Sequence, residues 1–292
     1  MSNIISVENL TKSYGDKQVV KGISFNVSEC EIFGFLGPNG AGKTTTIRMM
    51  IGEIGADSGK IEIAGLKVPK DMAQLKTIVG VVPDFQNIYD RLSVRANLEF
   101  FASLNSISKT EVDRVLDEVF LTEHQQKACK NLSRGLRQRT LIARALLHKP
   151  KVFFLDEPTS ALDPMSAKLI RELILKLKNN GTTVFLTTHY MEEADLLCDK
   201  IAIMNQGNIV ASGSPQGLKD KIGRKAVIYE YNVDGEMQKV EFSLSTKEDR
   251  EKLAALLREH EPIKIHTQEA TLEEVFLSVT GDKWNNSKEN NQ

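Results

Sequence analysis

The chain has 292 residues, of which 41% are hydrophobic and 26% charged, and its 38 basic residues nearly balance 39 acidic ones. The balanced charge argues against bulk electrostatic binding to nucleic acid or membranes, and no apolar run approaches the roughly 18 residues of a membrane-spanning helix. Three widely spaced cysteines predict neither a disulfide framework nor a zinc site, and with the lack of a signal-peptide pattern they favour a cytosolic protein.

Short apolar runs alternate with stretches of helical periodicity along most of the chain. The runs are nearly continuous in apolar residues, which is typical of strands buried on both faces of a parallel sheet. They are Ile32–Leu36, Ile78–Val82, Val152–Leu155, Val184–Thr187 and Ile201–Met204. This alternation predicts an α/β fold in which helices connect parallel strands.

A helical pattern interrupts this alternation in the middle of the chain. Apolar residues recur there at the spacing of one helix face, at Val112, Val115, Leu116 and Val119. We therefore predict a helical insertion between core strands, over about residues 84–150.

The last part of the chain reads as a small α+β appendage. Strands are predicted at Val227–Val233, Val240–Leu244 and Ile263–Ile265, and Asp234-Gly235 is typical of a hairpin turn between the first two. The expected domains are an α/β core at 1–220, an α+β domain at 221–281 and a disordered polar tail at 282–292.

Two helices of this appendage have recognisable ends. Ser245 with Glu248, and Thr271 with Glu274, have the spacing of capping boxes, in which two residues satisfy each other's free N–H groups. Gly281 is the predicted end of the second helix.

A phosphate loop is predicted directly after the first apolar run. The segment Gly37-Pro-Asn-Gly-Ala-Gly-Lys43-Thr44 matches the pattern GxxxxGK[ST] and lies between a predicted strand and a predicted helix. Glycine lets the backbone curl around a phosphate, and the following helix directs its positive end at the same anion. Lys43 can reach the β- and γ-phosphates of a nucleotide, and the Thr44 hydroxyl can bind Mg²⁺. An ordinary glycine-rich turn is the alternative.

An acidic pair, Asp156-Glu157, ends the predicted strand Val152–Leu155. A carboxylate at the end of a strand beside a phosphate loop can hold a metal ion, directly or through water. An adjacent glutamate is suited to polarise the attacking water. An acidic turn would look the same in isolation, but the combination with the phosphate loop favours a site that hydrolyses nucleotides.

A further motif, Leu132-Ser133-Arg134-Gly135, stands between these two, while Tyr14 precedes them and Ser160–Asp163 and Thr188-His189 follow. In this order the motifs resemble the nucleotide-binding subunit of an ATP-binding cassette (ABC) transporter, over roughly residues 4–215. Many protein families have a phosphate loop, and the LSxG-type signature is the motif that indicates this one. The resemblance implies an α/β phosphate-loop NTPase core of the ABC type, with the helical insertion and the appendage added to it.

The resemblance implies ATP and Mg²⁺ as cofactors and a role for each motif residue. Asp156 would bind Mg²⁺ through water beside Thr44, and Glu157 would be the general base. His189 would contact the γ-phosphate and the attacking water, and Lys43 would bind the β- and γ-phosphates during catalysis. Tyr14 would stack on the adenine, and the remaining phosphate contacts would be Gly37, Pro38, Asn39, Gly40, Ala41, Gly42, Lys43, Thr44 and Thr45.

A second copy of the chain, or a related ATP-binding subunit, completes the site in this family. Ser133 and Gly135 would contact the γ-phosphate of an ATP held by that partner, because the signature opens a helix and forms another anion site. Asp163 would lie at the dimer seam. It also precedes Pro164, a pair typical of a helix start, and both roles are compatible.

The sequence departs from the family pattern at two positions. Asp84 occupies the place of a family glutamine that touches the metal, and the nearest glutamine is Gln86, so either Asp84 takes that role or the loop shifts to present Gln86. Arg134 replaces a glycine of the signature. We expect its side chain to point to solvent and leave the anion site open.

The function implied is that of an ATPase subunit bound to separate membrane-spanning permease subunits at the cytoplasmic face of the membrane. The insertion would dock the permease, with Phe85, Ile88, Tyr89 and Leu92 as an apolar contact. Residues 196–218 and the appendage resemble subunits of antibiotic and multidrug exporters, which favours export of drugs or other hydrophobic compounds.

Other functions remain open at this point. They are export of sodium, polysaccharide or lipid, a soluble ABC ATPase with a non-transport partner, and a subunit that binds ATP without hydrolysing it.

Residues 127–151 contain eight Lys or Arg and no Asp or Glu. No nucleic acid is expected as a partner, because part of this stretch is the signature helix and it lacks interleaved aromatic residues.

Overall fold

The computed structural model describes residues 2–84, 87–222, 226–233, 236–244, 246–268 and 270–281. Several predicted features lie outside these residues: the turn Asp234-Gly235, the cap residue Ser245, the tail 282–292, the permease-contact residue Phe85 and the candidate metal-site residue Gln86. The chain divides into two compact units between Ser212 and Gly213, and each is described by itself.

The first unit contains both sheets of the core and the helical insertion. Its elements in chain order are β1 (Asn3–Tyr14), β2 (Lys17–Ser28), β3 (Ile32–Leu36), α1 (Lys43–Met50), β4 (Ser58–Ile63), β5 (Leu66–Val68), α2 (Met72–Ile78), β6 (Val79–Val82), α3 (Val94–Leu104), α4 (Lys109–Glu118), α5 (Arg134–Leu146), β7 (Val152–Asp156), α6 (Pro164–Asn179), β8 (Thr183–Thr188), α7 (Met191–Leu197), β9 (Lys200–Asn205) and β10 (Asn208–Gly213). Two 3₁₀ turns, Thr122–His124 and Cys129–Asn131, lie between α4 and α5.

The central sheet has six strands in the order β10-β9-β3-β8-β7-β6. The strands from β9 to β6 pair in parallel, and β3, β7 and β8 are buried along their whole length. This confirms the predicted parallel α/β core. One predicted strand residue was wrong, because Ile78 ends α2 and the strand begins at Val79. The strands β7, β8 and β9 each extend one residue beyond the prediction at one or both ends.

A second sheet, in the order β2-β1-β4-β5, is antiparallel and packs its apolar face on the first. Phe25 of β2 is the centre of this contact. Its ring centroid lies 5.6 Å from that of Phe33, 5.5 Å from that of Phe35 and 5.9 Å from that of Phe185. These offset aromatic contacts bury apolar area in the layer beneath the phosphate loop.

The helical insertion lies between β6 and β7, which are neighbours in the sheet. The apolar face predicted at positions 112, 115, 116 and 119 is fully buried, and it belongs to α4 and the residue that follows it. Three arginines of the basic stretch at residues 127–151 donate hydrogen bonds to other residues of the insertion. Arg137 bonds Asp90, Arg139 donates to the carbonyls of Val119 and Phe120, and Arg144 donates to the carbonyl of Asn87.

The second unit consists of α8 (Pro215–Ile222), β11 (Ala226–Val233), β12 (Glu236–Ser243), α9 (Lys247–Glu259), β13 (Pro262–Gln268) and α10 (Leu272–Thr280). Its sheet has the order β12-β11-β13, and both pairings are antiparallel. We predicted the domain division at 220, whereas the structure divides earlier because α8 packs against α10. Among the described residues of both units, no helix has the length and apolar character to cross a membrane.

Helix ends in this unit follow local hydrogen bonding. Thr271 and Glu274 form the predicted capping box, and Gly281 ends α10 in the left-handed conformation. The cap of α9 is Thr246, whose hydroxyl accepts a hydrogen bond from the amide of Asp249. The predicted pair Ser245–Glu248 is therefore one residue out of register with the observed cap.

Phe25→Ala tests the packing between the two sheets. We expect the free energy of unfolding to fall by roughly 3–5 kcal/mol, because the deleted ring leaves a cavity among three other aromatic rings. Phe120→Ala makes the same substitution at an exposed ring and should cost about 0.5 kcal/mol or less. Chemical denaturation followed by circular dichroism measures both, and equal losses would contradict the central role of Phe25.

Candidate active site

The phosphate loop connects the end of β3 to the start of α1. Gly42, with φ of 110°, occupies the N-cap position, and no side chain of the described residues caps this helix. The first N–H groups of α1 are therefore left for an anion. A Cβ on Gly37 would lie 2.2 Å from the carbonyl oxygen of Met204, and one on Gly42 would lie 2.8 Å from that of Val19. Only glycine fits at these two positions.

Lys43 is buried within the curl of this loop. Its Nζ donates to the carbonyl oxygen of Gly37 at 2.7 Å and lies 3.5 Å from Oε1 of Glu157. The ammonium group therefore sits between the loop and the acidic pair, although 114 residues separate Lys43 and Glu157 along the chain.

Asp156 ends β7 and faces two hydroxyl groups from different segments. Its Oδ2 accepts from Thr44 Oγ1 at 2.9 Å, and its Oδ1 accepts from Thr187 Oγ1 at 2.5 Å. A carboxylate beside a hydroxyl is a set of hard oxygen ligands, and Mg²⁺ commonly takes one or two such protein ligands together with substrate phosphates. The residues present therefore fit a magnesium ion.

Glu157 links the acidic pair to the segment after β8. Its Oε2 lies 2.7 Å from Nδ1 of His189, and its backbone has φ of 51°, in the left-handed region that few non-glycine residues adopt. An ionised carboxylate only accepts hydrogen bonds, so we assign the proton of this contact to Nδ1. Lys43, Glu157 and His189 thus form one connected group.

A cleft of about 370 Å³ opens beside the Thr44–Asp156 hydrogen bond. Thr44, Asp84 and Asp156 line it together. Asp84 therefore lies on the same cleft as Thr44 and Asp156, and its role in place of the family glutamine stays a prediction. Gln86, the alternative, lies outside the described residues.

Tyr14 lies at the end of β1, away from these hydrogen bonds. Its side chain is 51% exposed, and the Lys12 ammonium lies 5.8 Å from the ring centroid. Among the described residues, no hydrogen bond or ring contact joins Tyr14 to the phosphate loop, and its stacking on adenine stays a prediction.

The signature residues form a second cluster. Ser133 caps α5 by accepting from the amide of Leu136, and Arg134 is exposed, as expected. Gly135 is buried against α6, where a Cβ would lie 2.2 Å from Ser166 Oγ. At the start of α5, Ser133 and Arg134 are therefore exposed and Gly135 is covered by α6.

Asp163 joins the signature cluster from the start of α6. Its Oδ1 accepts from the amide of Ser166 at 2.9 Å, with Pro164 as the first helical residue. The hydrogen bonds from Ser166 hold the pKa of the Asp163 carboxyl below its usual range. Among the described residues, no hydrogen bond or ion pair joins Ser133 or Asp163 to Lys43 or Thr44.

The sequence reasoning missed two buried polar residues of this region. Thr187 was assigned only to a strand. The available signal for a polar role was its hydroxyl, which lies in a strand predicted to be buried on both faces. Glu193 of α7 is only 4% exposed and accepts from Thr159 Oγ1 at 2.6 Å. Burial raises the pKa of the Glu193 carboxyl. Its position in an amphipathic helix gave no signal, because acidic residues in a first turn are common.

Comparisons with known proteins agree with this geometry. Residues 20–160 match the family model described as ABC transporter. The linearmycin resistance ATP-binding protein LnrL of Bacillus subtilis is 34% identical, over 95% of this chain and 98% of that protein. A Nod factor export ATP-binding protein I of Rhizobium etli is 36% identical over 95% and 93%, and a fluoroquinolones export ATP-binding protein of Mycobacterium tuberculosis is 38% identical over 96% and 94%.

Solved structures give the same result. The cbiO1 protein of Clostridium perfringens, part of the ABC transporter complex cbiONQ, superposes with a TM-score of 0.69 at 28% identity, over 76% of this chain and 92% of that one. A nucleotide-free ATP-binding cassette from an ABC transporter gives 0.66 at 26% identity, over 73% and 92%. This chain therefore belongs to the family of ABC transporter ATP-binding subunits, which bind ATP and hydrolyse it to drive transport.

Proposed function

We propose that this chain is the ATP-hydrolysing subunit of an ABC exporter, that two subunits sandwich ATP, and that they drive a separate membrane permease from the cytoplasmic face. The observation that carries the proposal is that the phosphate loop meets the acidic pair through the contacts Lys43–Glu157 and Thr44–Asp156, and that Glu157 also bonds His189. Export is supported by the relatives, whose names refer to linearmycin resistance and to export of fluoroquinolones and of Nod factor. Drugs or other hydrophobic compounds are the proposed cargo.

The phosphate loop would hold the β- and γ-phosphates of ATP. The N–H groups of the loop and of the first turn of α1 supply donors without net charge, and Lys43 adds one cation. Because Lys43 is buried and its hydrogen-bond partners are carbonyls, its ammonium is already aligned when phosphate arrives. Such alignment strengthens charge-assisted hydrogen bonds.

Thr44 and Asp156 would hold Mg²⁺, with Asp84 as a further oxygen across the cleft. A bound Mg²⁺ supplies positive charge to the phosphate oxygens while charge develops on them. The chain contributes the orientation: Asp156 is fixed by hydroxyl donors on both of its oxygens.

Glu157 would take a proton from the attacking water. Its Oε2 is held by Nδ1 of His189, which leaves Nε2 of the imidazole for the γ-phosphate or the water. The Lys43 ammonium lies 3.5 Å from the other oxygen, Oε1. His189 would therefore orient the base and contact the phosphate.

The signature would act on the ATP of a second subunit. Ser133 and Asp163 are exposed at the starts of two long helices, with Gly135 packed between them and Ser166, which suits an anion presented from outside the chain. Each subunit would then supply the phosphate loop to one ATP and the signature to the other.

The permease would contact an aromatic cluster on the insertion, formed by Tyr89, Phe100 and Phe101. Tyr89 is 50% exposed, and its ring packs edge-on against Phe100 at 5.2 Å and stacks on Phe101 at 5.9 Å. Leu92 is exposed beside it and Ile88 is half-buried. Exposed aromatic rings held in fixed positions are typical of interface centres.

Co-purification tests the transport function and the docking surface together. We expect tagged protein from gently solubilised host membranes to carry a polytopic membrane protein in near-stoichiometric amount, as measured by mass spectrometry. Tyr89→Ala combined with Phe100→Ala should lose this partner because the contact area is removed, whereas Phe120→Ala should retain it. Recovery of only soluble proteins or ribosomes would contradict a transport function.

Glu157→Gln tests the general base. The variant should bind ATP, accumulate as a dimer in size-exclusion chromatography with ATP, and hydrolyse it roughly 100-fold or more slowly, because the amide cannot accept the proton. Glu172→Gln, on the exposed face of α6, is the matched control and should hydrolyse ATP normally. Turnover of Glu157→Gln near the wild-type rate would show that another group is the base.

Ser133→Arg tests the sandwich. The long cation should block the partner's phosphate from the start of α5, so that binding of a fluorescent ATP by single subunits survives and cooperative hydrolysis is lost. Arg134→Gly restores the usual signature glycine and should remain active, since this side chain is exposed. If Ser133→Arg keeps cooperative hydrolysis, the signature does not act on a partner's ATP.

A further inference from the structure

We infer that Thr187 is a positioning residue of the hydrolysis site, which sets the orientation of both carboxyl-bearing residues of the acidic pair. The inference rests on the function proposed above. Thr187 is the penultimate residue of β8 and is completely buried. Its hydroxyl donates to Asp156 and accepts from the amide of Glu157, so one side chain binds two successive residues of the neighbouring strand end.

The bond to Asp156 decides which carboxylate oxygen faces the cleft. Thr187 Oγ1 holds Oδ1 at 2.5 Å, and Thr44 Oγ1 lies 2.9 Å from Oδ2. The terminal torsion of an aspartate is broad and roughly two-fold, so a carboxylate without such a donor samples other orientations. Thr187 therefore keeps Oδ2 directed at the Thr44 hydroxyl, where Mg²⁺ would be held.

The bond from Glu157 supports an unusual backbone conformation. The amide of Glu157 donates to both the hydroxyl oxygen of Thr187, at 3.1 Å, and its carbonyl oxygen, at 3.2 Å. The residue has φ of 51°, which persists in a non-glycine residue only where surrounding contacts enforce it. This turn directs the Glu157 carboxylate to His189.

A purely structural hydroxyl occurs on the same strand and provides the comparison. Thr183, at the other end of β8, is also completely buried, and its Oγ1 accepts from the amide of Cys30 at 3.0 Å. Both threonines thus share a strand, full burial and a hydrogen bond from a backbone amide. Only Thr187 also donates to a residue of the acidic pair.

The test compares Thr187→Val, which keeps the shape and removes the hydroxyl, with Thr187→Ser, which keeps the hydroxyl, and with Thr183→Val as the matched control. Two quantities are measured on the full chain: the Mg²⁺ concentration for half-maximal ATP hydrolysis, and binding of a fluorescent ATP in Mg²⁺ and in EDTA. Lys43→Ala supplies the background rate of an impaired site.

We expect Thr187→Val to need about 10- to 100-fold more Mg²⁺, the range found when partners of a metal ligand are removed. Its kcat should fall as well, and its binding of fluorescent ATP should weaken in Mg²⁺ and stay unchanged in EDTA. Thr187→Ser should restore both quantities, and Thr183→Val should match the wild type in both.

Two results would overturn the inference: an unchanged Mg²⁺ requirement in Thr187→Val, or equal shifts in Thr187→Val and Thr183→Val. If circular dichroism shows that Thr187→Val is unfolded, Thr187→Ala against Thr187→Ser decides by the same criteria. Wild-type protein that hydrolyses no ATP with Mg²⁺ would overturn the proposed function itself, and this inference with it.

Discussion

The parallel register of β3, β8 and β7 places the ends of these strands at one edge of the central sheet. Leu36 pairs with Thr188, and Asp156 pairs with Thr187, so the phosphate loop, the histidine segment and the acidic pair all leave the sheet side by side. Parallel strands require long connections, and here those connections carry the helical insertion and α6. The site exists only because this register is held, since its five polar side chains come from segments far apart in the chain.

The register in turn depends on an apolar layer with little freedom to shift. Phe185 of β8 contacts Phe33 and Phe154 of the two neighbouring strands, with ring centroids 5.5 Å apart in each case, and Phe25 covers them from the second sheet. A slip of one residue would move every side chain to the opposite face of the sheet. The aromatic packing therefore supports the alignment of the polar groups at the strand ends.

Charge is concentrated at this edge and is neutralised locally. Lys43 lies near Glu157, which in turn bonds His189, and Asp156 accepts from two hydroxyls. Glu193, which is buried and bonded to Thr159, has a raised pKa because burial disfavours its charged form. Fixed donors in a partly buried site stabilise developing charge more than water does, because they need little reorganisation. Ser133, Arg134 and Asp163 of the signature cluster are exposed, and this agrees with the proposed role toward a second subunit.

The sequence by itself determined the features that depend on neighbouring residues. Ile32–Leu36 was predicted with its correct bounds because an apolar run ended by glycine has few alternatives, and the caps at Ser133, Asp163 and Thr271 follow from side chains that bond their own helix. The tertiary structure decided which distant segments of the chain come into contact. Thr187 and Glu193 have hydrogen-bond partners more than 30 residues away, and Asp84 lines one cleft with Thr44. No periodicity or local motif encodes such contacts, because they arise from the packing of strands whose order in the sheet differs from their order in the chain.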